Sequence, residues 1–264
     1  MFVPYKTSIN SIDDLVNTYK FNTKSFTNRF NASKDKLRRV LNGQNGKIDG
    51  SYLQSFWFPT DFDGYYDIFI SHSHNDLDKA LALATWFEDY CGLNCFVDSF
   101  VWNSADELLK EIDNEYCLQT NRQLYDYNKR NFSTSHVHAM LSMAILDIID
   151  KTECCIFIES ENSLDLSSIR TQTLSPWIYE EISFMKRVRQ RIPNRLTNNR
   201  IQVRSFSTGA KIEMLNEAKQ LKVAYNIDTS KIQSLLMKHF GMMRNAGQRG
   251  LDNLYRATGI LINL

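Results

Sequence analysis

The sequence predicts an α/β domain in which helices flank both faces of a doubly wound parallel sheet. Three observations carry that reading. Strand-length apolar runs, "DIFIS", "NCFVDS", "CCIFIES" and "LKVAYNID", alternate with segments of helical period. The runs are short and continuously apolar, as strands covered on both faces are. The run at 66–71 also opens directly onto "SHSHND". Such sheets hold ligands beyond the carboxyl ends of their strands, so this polar segment stands where a site is expected.

Each element has its own signal. In "SIDDLVNTYK" Ser11 is a candidate helix cap, with Ile12, Leu15 and Val16 behind it. "SKDKLRRVLNG" reads as a second short helix ending near Gly43. The aromatic-dense stretch from Tyr52 to Phe62 is expected to pack on the main domain. After the first clear strand at 66–71, Leu77, Ala80, Leu81, Ala84 and Phe87 repeat at helical spacing, with Gly92 as the stop and Asn75 or Asp76 as the cap. Cys95, Phe96 and Val97 form a second strand. "SADELLKEIDNEYC" then carries a capping-box pattern from Ser104 to Glu107. Residues 119–134 look like a polar insertion. "SHVHAMLSMAILDIIDKTE" is helical, with Met140, Ala144, Leu146, Ile148 and Ile149 facing inward. "CCIFIES" is the third strand, and Ser175 with Pro176 starts the next helix. "LKVAYNID" is the fourth strand and "TSKIQSLLMKHFG" the final helix. The chain divides into a helical, aromatic-rich N-terminal extension at 1–64, the α/β domain at 65–230 and a C-terminal helical segment at 231–264.

Composition narrows the function classes. With 43% apolar and 12% aromatic residues, the 264-residue chain has material for a full core. The 31 lysines and arginines nearly balance 30 acidic residues, which argues against nucleic acid or a membrane surface as partner. Five cysteines are an odd number at spacings that match no zinc site, so they are expected to be reduced, structural and cytoplasmic. The N-terminus lacks a signal-peptide pattern, and the apolar runs fall short of the ~18–20 residues that span a bilayer. Neither GxGxxG nor GxxxxGK[ST] occurs, which excludes a dinucleotide Rossmann domain and a P-loop NTPase. His136 and His138, two apart on a helix, point away from each other and make no metal pair. No Ser-His-Asp triad can be argued from spacing.

Three segments resemble one family. "YDIFISHSHND" is similar to the first box of Toll/interleukin-1 receptor (TIR) domains, "GLNCFVDSFVWNSADELLKEI" to the second strand and its following BB loop, and "CCIFIESENSL" with "SPWIYEEI" to the fourth strand and its helix start. They occur in the family's order over roughly residues 65–230. The resemblance implies a flavodoxin-like fold, and it is closest to bacterial stand-alone members that cleave NAD⁺. It implies a cytoplasmic NAD⁺ nucleosidase, releasing nicotinamide and ADP-ribose or a cyclic ADP-ribose isomer in anti-phage defence. NAD⁺ is then the substrate and no cofactor is needed. Active members associate through TIR–TIR contacts, so a homo-oligomer is expected. The apolar run Phe100-Val101-Trp102 in the BB-like loop fits that expectation.

The resemblance also implies site residues. Glu181, four residues after Trp177, matches the family's catalytic glutamate in W-x-x-x-E. Nicotinamide leaves as a neutral molecule, so one carboxylate that stabilises the ribosyl oxocarbenium ion is sufficient chemistry. The N-terminal position of Glu181 in its helix favours the ionised form. Trp177, one turn earlier, flanks the ribose or nicotinamide. Ser73 and His74 line the nucleotide side, where several relatives carry arginines that are missing here. Trp102 and Asn103, in a BB-like loop without glycine or proline, contact the ligand, with Trp102 as an aromatic wall over it. The bland readings are a solvated Glu181, a core Trp177, a structural His72, and a loop used only for contacts. At the level of function, one competing class is a non-catalytic TIR interaction scaffold, which would not need Glu181. Another is a flavodoxin-like enzyme that modifies free nucleotides.

Overall fold

The computed structural model describes residues 2–21, 50–51, 66–99, 106, 108–110, 112–119, 124–165, 171–197, 201–203, 223–244 and 248–263. Its first half runs β1 (Val3–Ser8), α1 (Ile9–Tyr19), β2 (Ile68–Ser71), α2 (Leu77–Cys91), β3 (Cys95–Val97) and α3 (Tyr127–Lys151). Then come β4 (Cys154–Glu159), β5 (Gln172–Thr173), α4 (Pro176–Arg187), α5 (Asn194–Thr197), β6 (Ile201–Val203) and β7 (Tyr225–Asn226). The chain closes with β8 (Gln233–Leu235), α6 (Met237–Met243), α7 (Gln248–Ala257) and β9 (Leu261–Asn263). A five-stranded sheet in the order β3-β2-β4-β1-β8 forms the centre, and every pairing in it is parallel.

Side-chain alternation along these strands builds two cores, one on each face. Ile68 and Ile70 of β2, Val3 and Tyr5 of β1, and Cys154, Ile156 and Ile158 of β4 face α1, α2, α6 and α7. Phe69, Phe96 and Cys155 face α3 and Met185 of α4, and Phe157 meets Ile178 and Ile182 of α4. Each of these large side chains is almost wholly withdrawn from water, a gain of roughly 1.5–3 kcal/mol apiece. The α/β class with helices on both faces is therefore as expected.

The strand order is not the 2-1-3-4-5 of flavodoxin-like sheets. Numbered along the chain, it is 3-2-4-1-5. The first three positions correspond, but the fourth is filled by "VPYKTS" at 3–8, from the segment read as an extension. The fifth is filled by Gln233–Leu235, inside the segment read as a helix. The described residues of "LKVAYNID", 223–228, do not join this sheet. Tyr225 and Asn226 pair antiparallel with β5 instead. The parallel sheet thus takes a strand from each of the segments 1–64 and 231–264.

Helix ends explain further differences. The cap of α1 is Ser8, whose Oγ accepts the Ser11 N–H at 3.3 Å, so the helix begins a turn before the expected Ser11 cap. Asp126 caps α3 by accepting the Lys129 N–H at 2.9 Å. Half of the expected polar insertion is therefore the solvent-facing start of a 25-residue helix. Two expectations hold. Gly92 ends α2 at φ +63, a left-handed position that suits glycine. The Ser175 Oγ accepts the Ile178 N–H at 3.3 Å at the start of α4. The segments around Gly43, 52–62 and Ser104 with Glu107 lie outside the described residues.

By length and composition α3 is apolar enough to cross a membrane. Here its apolar side is core: Val137, Leu141, Ala144, Ile145, Ile148 and Ile149 are buried under the sheet. All five cysteines are free and buried. At the amino end of the sheet, Glu153 is gripped by Arg195 through two bonds of 2.7 and 2.6 Å. Arg195 also reaches Asp252 at 2.8 Å, and the Tyr255 hydroxyl donates to Glu153 at 2.9 Å.

Candidate functional site at the carboxyl end of the sheet

From β2 the chain leaves through α2 to β3 on one side, then crosses through α3 to β4 on the other. The loops after β2 and β4 therefore diverge, which makes a switch point where α/β sheets form a crevice. Ser71 is the last residue of β2 and pairs with Phe157 of β4. Its hydroxyl donates to Glu181 Oε2 at 2.5 Å. Glu181 sits on the inner face of α4 and is 1% exposed, which excludes a solvated surface charge. Cys155 of β4 lies close enough to feel it. Burial is the main cause that pushes the Cys155 thiol up, and the Glu181 charge adds to it.

Trp177, one turn before Glu181, is half-buried against the α3 core. Its indole meets the His138 ring edge-on at 4.9 Å. His136 instead packs on Phe132 at 4.4 Å, so the two histidines engage different neighbours. Ser73 is half-buried and His74 exposed, on the short 3₁₀ turn His74–Asp76 that follows β2. The bond that ties this corner to Glu181 comes from Ser71, a residue to which the sequence assigns no role. Trp102 and Asn103 lie outside the described residues.

Asp76 departs from its expected role. It occupies the cap position of α2 but its side chain makes no cap bond. The buried carboxylate turns instead to the loop after β4, where Ser160 Oγ donates at 2.5 Å and Asn162 Nδ2 at 2.7 Å. These bonds stitch the two diverging loops together. Beside them opens a cleft of about 450 Å³ lined by Asn162, Ser163, Asp165, Leu174 and Ser175, between the end of β4 and the start of α4. That volume is in the range of small-molecule sites. Glu181, Trp177, Ser73 and His74 are not among its walls.

A second constellation lies at the ends of β2 and β3. The register Ile70↔Val97 brings residues 71–72 opposite 98–99. The His72 Nε2 and Ser99 Oγ are 2.7 Å apart. On the other side of the ring, His72 Nδ1 touches Asp98 Oδ1. The ring N–H is not aimed along that contact, so it does not form a well-aligned hydrogen bond. Asp98 Oδ2 also accepts the His72 backbone N–H at 3.1 Å. Sequence spacing missed this group because its members are 27 residues apart. The usable signal was "SH" and "DS" following strands that neighbour each other. Among the described residues no cluster of three or more His, Cys, Asp or Glu side chains could hold a metal ion.

Comparison with protein-family models, with curated proteins and with solved structures finds no match for the chain.

Proposed function

We propose that the chain is a TIR-type NAD⁺ nucleosidase that releases nicotinamide and forms ADP-ribose or a cyclic isomer of it, with Glu181 as the catalytic carboxylate. One observation carries the reading: the Ser71–Glu181 hydrogen bond at 2.5 Å joins the end of the "DIFIS" strand to the W-x-x-x-E helix. Those are two of the segments on which the family resemblance rests. In this reading Glu181 faces the positive charge that develops on the ribose as nicotinamide leaves. Its charge acts strongly because the surroundings exclude water. Ser71 fixes the orientation of the carboxylate. Trp177 forms the apolar wall one turn away, and Ser73 and His74 supply polar contacts on the turn. The assignments of Trp102 and Asn103 as ligand contacts, of a TIR homo-oligomer and of a cytoplasmic role in phage defence belong to the same proposal. The strand order 3-2-4-1-5 makes the sheet a rearranged relative of the flavodoxin-like one in this reading, with the correspondence confined to β3, β2 and β4.

The test is incubation of purified protein with NAD⁺ and chromatography of nicotinamide, ADP-ribose and cyclic products. Nicotinamide release that is lost in Glu181→Gln and kept in Glu180→Gln supports the assignment. Loss in Glu180→Gln alone moves it by one residue. A second reading, a TIR interaction scaffold without catalysis, is favoured by the burial of Glu181 under a satisfied hydrogen bond. It predicts no nicotinamide under any condition.

A further inference from the structure

The His72 ring is the centre of an arrangement that the NAD⁺ reading does not use. A carboxylate oxygen accepts, so the Nδ1 that lies beside Asp98 Oδ1 is the ring nitrogen placed to carry the proton. That leaves Nε2 as the acceptor, 2.7 Å from the Ser99 hydroxyl. Asp98 is itself held by the His72 backbone N–H. A hydroxyl within hydrogen-bond reach of a base, and a base oriented by a third group, is the pattern of an activated nucleophile. The Nδ1–Oδ1 contact is already close and only misaligned, so a rotation of the ring, not an approach of the groups, is what completes it. Ser99 is 2% exposed, His72 4% and Asp98 1%, so the group is nearly free of competing water.

We propose that Ser99, His72 and Asp98 form a serine nucleophile centre for acyl transfer, with small carboxylic esters as the substrate class. Ser99 Oγ bonds to the ester carbonyl carbon while His72 Nε2 takes the hydroxyl proton. The bond from that carbon to the alcohol oxygen breaks, and the alkoxide leaves with the proton from Nε2. Water then attacks the acyl-serine, giving up a proton to Nε2. Ser99 is released with that proton and the product is a carboxylic acid. Asp98 is a positioning residue, which holds the ring in the tautomer the step requires.

Because the site is nearly buried, the probe is a small one, diisopropyl fluorophosphate. Intact mass and peptide mapping of the folded full-length protein should show one adduct, on Ser99, that is absent after denaturation. Asp98→Asn should slow labelling on the order of a hundredfold or more, by favouring the wrong tautomer. Ser99→Cys offers a readout that survives if the organophosphorus probe is too large. Its thiol, facing His72, should be alkylated by iodoacetamide at least tenfold faster than the five native cysteines. Those are buried, and burial alone pushes Cys91 up to about 12. An unmodified Ser99 in the wild type, together with an inert introduced thiol in Ser99→Cys, would overturn the proposal and leave the group as scaffold. So would labelling at a rate that Asp98→Asn does not change.

Discussion

Two sets of carboxylates, at opposite ends of the parallel sheet, are held differently. At the amino end Glu153 and Asp252 are held by the Arg195 guanidinium, and Tyr255 adds a hydroxyl. At the carboxyl end Glu181 accepts from the Ser71 hydroxyl, Asp76 from a hydroxyl and an amide, and Asp98 from a backbone N–H beside an imidazole. A bidentate guanidinium neutralises a carboxylate and fixes it in one geometry. Hydroxyl and amide donors fix its direction without bringing a full countercharge of their own. The first arrangement suits a clamp between β4, α5 and α7. The second suits a group that must face a cation formed during reaction. Burial of an acid therefore says little by itself, and the chemistry of its donors says more.

The largest effect is expected at the amino end, where β1 is an interior strand whose Phe2 and Val3 N–H groups both bond to the Glu153 carbonyl. Removing residues 1–8 should abolish cooperative unfolding as followed by circular dichroism. A truncated chain with a normal melt would show that β1 is dispensable. Arg195→Ala comes next. It leaves two partly buried carboxylates facing each other, at a cost of roughly 2 kcal/mol, less than for a fully buried pair because the arginine side chain is 30% exposed. Tm should fall by about 4–8 °C, with NAD⁺ cleavage per folded molecule unchanged.

Ser71→Ala sharpens the contrast from the other end. It removes one donor to the buried Glu181 carboxylate and should cost about 1.5 kcal/mol of stability. Nicotinamide release should drop roughly tenfold, through kcat more than KM, because the carboxylate loses its orientation in the transition state. Equal losses of stability and activity in both variants would erase the distinction between the ends.

The smallest effect is a pH dependence at the end of β8. The Leu236 N–H donates to His239 Nδ1 at 3.0 Å, which requires the neutral ring. Burial, with help from Lys238, holds the His239 pKa below its ordinary 6.5. The folded state therefore binds fewer protons than the unfolded one. This contribution is fully present above pH 6.5 and is lost as pH falls from there through the folded value. Thermal melts from pH 7.5 to 5 should show this slope in the wild type and a shallower one in His239→Gln. Identical slopes would remove His239 from the account.

How much of this was legible in the sequence follows from how local each signal is. The strands at 68–71, 95–97 and 154–159 were readable because they are apolar on both faces. β1 was not. Its outward side carries Lys6, which pairs with Glu159 at 2.9 Å, and Pro4 has no N–H for a ladder. Only its partners, more than 140 residues away in the chain, make it a strand. β8 is three residues long, too short to outweigh the helical pattern into which it runs. At the site, Glu181 and Trp177 were singled out by spacing on one helix, and Ser73 and His74 by position after a strand. Ser71, which bonds Glu181, was not, nor were the partners of Asp76 and His72, because Ser160, Asn162, Asp98 and Ser99 join them only through sheet register and the crossing of loops.

The most direct test of the central claim is nicotinamide release by Glu181→Gln, measured on the same samples as its thermal melt. The glutamine amide keeps the shape of the side chain and still accepts from Ser71, so the melt should stay within a few degrees of wild type. The charge facing the ribosyl cation is gone, so release should fall on the order of a hundredfold or more. Wild-type release from a Glu181→Gln protein with an unchanged melt would contradict the account.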